Sequence, residues 1–125
     1  MKHIEIFEEG FFLTFKIDST VLFSLSETLN DSEAKASPLP PVNFDCPVFF
    51  ELTGYKDTGN QTGRLVELTL TGREKNITAV CFWQFHKGEH ILESGTHLTN
   101  SCDSPLTVSK DNDTVIILGG ESVNF

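Results

Sequence analysis

Two histidines and a turn offer the first candidate for chemistry in this chain. His86 and His90 flank Lys87-Gly88-Glu89, and this spacing predicts cross-strand neighbours at a hairpin turn. Neighbouring imidazoles can ligate a metal, with His97 or Glu89 as a further donor. No Cys-x-x-Cys or His-Glu-x-x-His pattern accompanies them, so the plainer reading is two exposed histidines beside a turn and no metal site. Cys81, five residues before His86, raises a thiol nucleophile. It falls on an apolar face with Trp83 and Phe85, where burial keeps a thiol protonated and inert. Cys46 and Cys102 lie in predicted loops and would pair only under oxidation. Glu8-Glu9, Asp111 and Asp113 read as solvated turns. Gly119-Gly120 has neither the spacing nor the following helix of a phosphate loop; a bulge or close strand crossing is expected there. These residues assign no catalytic group and no cofactor. Tyr55, Trp83 and the phenylalanines could stack on the C–H faces of sugars. Most of them alternate into a core, which leaves Tyr55, in a predicted Gly54–Gly63 loop, as the exposed ring.

The elements that position these residues read as strands. Leu13, Phe15 and Ile17 share one face, and Val21, Phe23 and Leu25 another, with Asp18-Ser19 between them. That predicts an opening hairpin. Residues 26–41 turn polar and end in Pro38-Leu39-Pro40-Pro41, a long loop with at most one helical turn at Ser32–Ala36. Val48–Leu52 is a short apolar strand, followed by the Gly54–Gly63 loop. Arg64–Thr71 alternates with Val66, Leu68 and Leu70 on one side. Ile77–His86 is the longest predicted strand. Its second face is half apolar, which places it centrally between two layers. Further strands are expected at His90–Thr99, Leu106–Ser109, Thr114–Leu118 and Ser122–Phe125. Eight or nine strands with minor helix indicate an all-β protein, an antiparallel β-sandwich.

Size and charge bound the functions. With 125 residues the chain suits one domain, 1–125. It carries 18 acids against 9 bases, a formal charge of −9. Such a surface repels phosphate backbones, so no nucleic-acid partner is expected. No stretch approaches the ~20 apolar residues of a membrane helix, and no membrane partner is expected. Met1-Lys2-His3 leads into alternating Ile4-Glu5-Ile6 rather than the apolar core of a leader. A cytoplasmic protein is expected, or a secreted one if a leader once stood upstream. The odd count of three cysteines points to reduced thiols. Asn60-Gln61-Thr62, Asn76-Ile77-Thr78 and Asn112-Asp113-Thr114 have the form of glycosylation sequons, which carry meaning only outside the cytoplasm.

One segment resembles a known family. Trp83, Gln84, Phe85, Gly88, Leu98, Thr99, Asn100, Pro105 and Leu106 are similar to a run in the N-terminal β-sandwich of α-galactosidase-like family-36 glycoside hydrolases. There an aromatic strand, a short glycine turn, a strand ending in Leu-Thr-Asn and a Pro-Leu-Thr strand follow one another. The similarity extends over roughly residues 42–118 and includes the Gly63-Arg64-Leu65 step. The opening hairpin matches in kind but not in letters. Asn43-Phe44-Asp45-Cys46-Pro47 falls where many members carry an Asp-Phe-Arg-x-Pro-like loop near the sugar site. Phe44 and Pro47 fit; Asn43 replaces the acid and Asp45 the arginine.

The resemblance implies a sandwich of the galactose-mutarotase-like supersandwich type, whole or partial. It implies a non-catalytic module that packs on the catalytic barrel of the same enzyme and shapes or supports carbohydrate binding. The barrel would supply the two carboxylates of retaining hydrolysis, and these 125 residues contain no barrel pattern. Asn43, Asp45 and Tyr55 are the candidate carbohydrate contacts. The implied partners are the barrel, galactosides and further copies of the chain in a homo-oligomer. The alternative is a free-standing immunoglobulin-like interaction or adhesion domain, which one intact disulfide would favour. A small enzyme with its site in the sandwich is the third reading, and no nucleophile–base pair supports it.

Overall fold

A computed structural model describes residues 2–27 and 35–125. Among these residues the chain is all β, with no helix. The strands are β1 (Lys2–Glu8), β2 (Phe11–Ile17), β3 (Val21–Ser26), β4 (Ser37–Pro38), β5 (Asn43–Phe44) and β6 (Phe50–Gly59). They continue with β7 (Arg64–Gly72), β8 (Ile77–Phe85), β9 (Leu92–Asn100), β10 (Leu106–Lys110), β11 (Asp113–Ile117) and β12 (Glu121–Asn124). No helix among the described residues is long and apolar enough to cross a membrane.

Three antiparallel sheets result: β1-β2-β3-β4, β11-β10-β5 and β12-β9-β8-β7-β6. Alternation drives the largest of them. Val66, Leu68 and Leu70 on β7 and Ile77, Ala79, Cys81, Trp83 and Phe85 on β8 are all buried. Their registers (Val66 opposite Trp83, Leu68 opposite Cys81, Leu70 opposite Ala79) bring them onto one face of the sheet, as a period of two requires. Leu13 and Phe15 of β2 are fully buried and close the core from the four-stranded sheet. The seam between these sheets is aromatic. The ring of Phe15 meets Trp83 edge-on at 5.0 Å, Phe23 lies 5.8 Å from Trp83, and Phe11 lies 6.4 Å from Phe85. Phe44 and Phe50, 5.5 Å apart, tie the three-stranded sheet to the same core. The architecture is sandwich-like, held by aromatic contacts between facing sheets.

β8 occupies the middle of the five-stranded sheet. Its second face, Thr78, Val80, Phe82 and Gln84, is half-buried. β6, at ten residues, is longer than β8. It runs on through residues 54–59, expected as a loop, after a bulge between Leu52 and Gly54. Its second half carries Tyr55, Lys56, Asp57 and Thr58, all exposed. Such a strand shows no hydrophobic contrast, and its bulge and charges are the usual protections of a sheet edge. β1 escaped the sequence reading as a paired strand for the same reason: Lys2, His3, Glu5 and Phe7 are exposed, and Ile6 alone is buried. The expected helical turn at Ser32–Ala36 lies mostly outside the described residues; Lys35 and Ala36 are not helical.

Candidate functional site

The tips of three hairpins meet at one end of the sandwich. The β1–β2 turn brings Glu9, whose Oε1 accepts a hydrogen bond from the Gly88 amide at 3.0 Å. The Glu9 carbonyl lies 3.0 Å from His90 Nδ1, and the imidazole stacks flat on Phe11 with centroids 4.2 Å apart. His90 therefore latches the four-stranded sheet to the β8–β9 loop. The third tip, between β6 and β7, is organised by Asn60. Its Oδ1 accepts from the Thr62 and Gly63 amides at 3.0 and 2.9 Å, and its Nδ2 donates to Gln84 Oε1 at 2.7 Å. Lys87 N then donates to Thr62 O at 2.8 Å. The backbones approach so closely that a Cβ on Gly63, where φ is +151°, would sit 2.2 Å from Phe85 O. Only glycine accommodates that crossing.

These tips enclose a cleft of about 570 Å³ lined by Glu8, Glu9, Asp57, Asn60, Arg64 and Lys87, with Thr58, Gly59 and Gly63. Arg64 grips both oxygens of Asp57, Nε to Oδ1 at 2.9 Å and NH2 to Oδ2 at 2.6 Å. Its NH1 faces Glu8 Oε2 at 3.6 Å. A fork of this kind fixes both planar groups in one plane. The hydrogen bonds from Arg64 hold the Asp57 carboxyl below the ordinary carboxylate range. The stabilisation from this pair is complete above that range and is lost as pH falls through the lowered native value. Tyr55, two residues before Asp57 on β6, has its phenol pushed up by burial and then by the Asp57 charge, so it stays protonated at neutral pH.

The residues singled out from sequence are not brought together. Asn43 pairs with Ser109 at the edge of the three-stranded sheet. Asp45 follows it, its amide bonded to Thr107 O at 3.1 Å. Asp45 lines a second cleft with Cys46, Lys75, Asn100 and Cys102, whereas Tyr55 lies in strand β6 and not in a loop. Trp83 is buried and unavailable as an exposed platform. His86 is opposite Ile91 rather than His90: the His86 amide donates to Ile91 O at 3.1 Å, so the β8–β9 loop is wider than the expected three-residue turn. The His86 imidazole sits 2.6 Å from Glu93 and His97 sits 2.6 Å from Asn124. Among the described residues no group of three or more His, Cys, Asp or Glu side chains is placed to hold a metal. Cys46, Cys81 and Cys102 are free.

Cys81 is 1% exposed, and burial raises its thiol from 9.0 to about 11, with a Thr96 hydroxyl 3.6 Å from its sulfur acting in the opposite sense. The native state therefore keeps this proton where the unfolded chain has lost it. Stability is expected to fall as pH rises from 9.0 through about 11. Urea titrations of the parent and Cys81→Ala across that range should differ in slope by about 2 kcal/mol in total. Parallel pH profiles would exclude a thiol held protonated by the core.

The corner after β9 is equally well built. Asn100 is fully buried. Its Nδ2 donates to Ser104 O at 3.0 Å and to Ile117 O at 2.9 Å, and its Oδ1 accepts from the Cys102 amide at 2.9 Å. Next to it, a Cβ on Gly119 would lie 2.5 Å from Cys102 O, the close crossing expected of Gly119-Gly120. Fold and site together define an all-β, sandwich-like protein with a polar cleft at one end. No family model, curated protein or solved structure matches this chain.

Proposed function

We propose that this chain is the non-catalytic N-terminal β-sandwich module of an α-galactosidase-like family-36 glycoside hydrolase. It packs on a catalytic barrel and supports carbohydrate binding there. The observation that carries the reading is the form taken by the resembling segment. Phe82 to Thr107 folds as strand, short glycine loop, strand, Asn-locked corner and strand. The Thr99-Asn100 pair thus occupies a position whose chemistry demands asparagine, with two donors and one acceptor all used. In this role the chain contributes shape and not a nucleophile; Cys81, its most buried thiol, is held protonated.

Sequencing the reading frame through its stop codon tests the proposal. A following region of barrel length, roughly 250 residues, carrying a pair of strand-end carboxylates is the expected result. The purified 125-residue polypeptide should leave p-nitrophenyl α-galactoside unhydrolysed. Turnover by this polypeptide, or a frame encoding no barrel and a protein that recruits none, would overturn the assignment.

A further inference from the structure

The three-hairpin cleft carries an inference of its own. We propose that it is a binding site for a neutral, polyhydroxylated ligand, one or two pyranose units of a saccharide, with Asp57, Arg64, Glu8 and Lys87 meeting the hydroxyls. This adds to the module reading without depending on it.

Volume and polarity argue for a small polar ligand. The cleft measures about 570 Å³, inside the range of ~300–1,000 Å³ in which small-molecule sites fall. Charged and amide side chains line it, Glu8, Glu9, Asp57, Asn60, Arg64 and Lys87, and about half of its surface is carbon, as suits a ligand with both hydroxyls and C–H faces. An anion would meet three carboxylates against two cations, and the chain as a whole carries −9. A bare metal ion finds no assembled ligand group among the described residues. A sugar hydroxyl both donates and accepts, so a wall that alternates fixed acceptors with fixed donors suits it and suits few other ligands.

Fixed is the operative property. Asp57 and Glu8 are both drawn to one guanidinium, at 2.6 and 3.6 Å. The carboxylate oxygens keep lone pairs free beyond those they give Arg64. Vicinal hydroxyls on a pyranose can bridge such a planar pair in two parallel hydrogen bonds. The floor beneath is immobilised by the Asn60–Gln84 pair and by the Lys87–Thr62 backbone bond. Little ordering is left for a ligand to impose, which is what raises affinity in preorganised sites.

The test is a two-dimensional amide NMR titration of the uniformly ¹⁵N-labelled chain with methyl α-galactoside, methyl α-glucoside, maltose and galacturonate. At least one neutral sugar is expected to shift the amides of Asn60, Gly63, Lys87 and Gly88 saturably, with Kd in the millimolar range. Galacturonate should bind more weakly than its neutral counterpart. Arg64→Lys keeps the charge and loses the fork, and should weaken binding by about tenfold. Lys87→Gln, on an exposed loop, serves if Arg64→Lys unfolds the chain, and it should also weaken binding. Saturable shifts confined to Asn43 and Asp45, tighter binding of galacturonate, or no shift with any neutral sugar would overturn the inference. None of these outcomes bears on whether a barrel follows in the reading frame, so the two readings fail separately.

Discussion

Trp83→Ala is expected to destabilise the protein by about 3–5 kcal/mol, the range for removing a large aromatic from a packed core. Trp83 is 4% exposed and is the single tryptophan. It lies in the seam where the two larger sheets face, edge-on to Phe15 at 5.0 Å and tilted against Phe23 at 5.8 Å. No neighbouring backbone can collapse into the space it leaves, because both strands it touches are tied into ladders on either side. Domains of this size are stable by about 5–15 kcal/mol in total. The variant should therefore sit near the edge of folding. Urea unfolding followed by circular dichroism is the measurement, since the variant has no indole to report fluorescence. Trp83→Phe should cost much less, about 1–2 kcal/mol, because the ring is kept. A loss under about 1 kcal/mol for the alanine variant would mean that the sheets do not share this seam.

Asn100→Leu should be comparably damaging, for the opposite reason. Size and shape are nearly kept, but three hydrogen bonds disappear. Each buried backbone group left without a partner costs about 1–3 kcal/mol, so a total of about 3 kcal/mol or more is expected. Hydrogen exchange at the Cys102 amide, which donates to Asn100 Oδ1 at 2.9 Å, should accelerate together with the fall in stability. Asn100→Asp distinguishes polarity from geometry. It keeps an acceptor for the Cys102 amide and points a charge at the Ser104 and Ile117 carbonyls, so it should be rescued in part as the carboxyl is protonated at low pH. Equal stability of parent and leucine variant would remove the corner from any account of the fold.

How much of this was visible in the residues depends on contrast. β7 and β8 were legible because one face of each is fully buried and the other is not; Val66, Leu68 and Leu70 against Glu67 and Thr69 leave no second solution. In the opening hairpin β2 was legible for the same reason, whereas β3 was read from its letters: of Val21, Phe23 and Leu25 only Val21 is buried and Leu25 is exposed. The second half of β6 was not. Tyr55-Lys56-Asp57-Thr58 is exposed throughout, so its strand character comes from pairing with β7 and not from any periodic burial. Glycines at 54, 59 and 63 then read as loop, although Gly54 sits at a bulge and Gly59 pairs with Arg64. The His86–His90 pairing failed because the loop between β8 and β9 is wider than a three-residue turn.

The cleft was invisible for a different reason. Its wall comes from Glu8 and Glu9, from Asp57 to Arg64, and from Lys87. Taken one at a time, two acids at a turn, an acid on an edge strand and a lysine beside a glycine are ordinary surface residues. Only the meeting of three hairpin tips gives them a shared volume, and that meeting depends on long-range register. The one local clue was Asn60, whose side chain caps its own turn through the Thr62 and Gly63 amides. An asparagine followed two and three residues later by such donors is a common turn signal and says nothing of a ligand. Asn100 was noticed through resemblance, whereas its physical reason, a corner that consumes every polar atom of the side chain, came from the fold.

The latch of Glu9 on Gly88 joins residues 79 positions apart in the chain, and the cleft opens beside it. Anything that occupies this pocket must therefore wait until the β1–β2, β6–β7 and β8–β9 turns have come together. Occupancy then counts wholly in favour of the completed molecule and not at all for a half-assembled one, so a bound guest would raise the midpoint of thermal denaturation in proportion to the logarithm of its concentration.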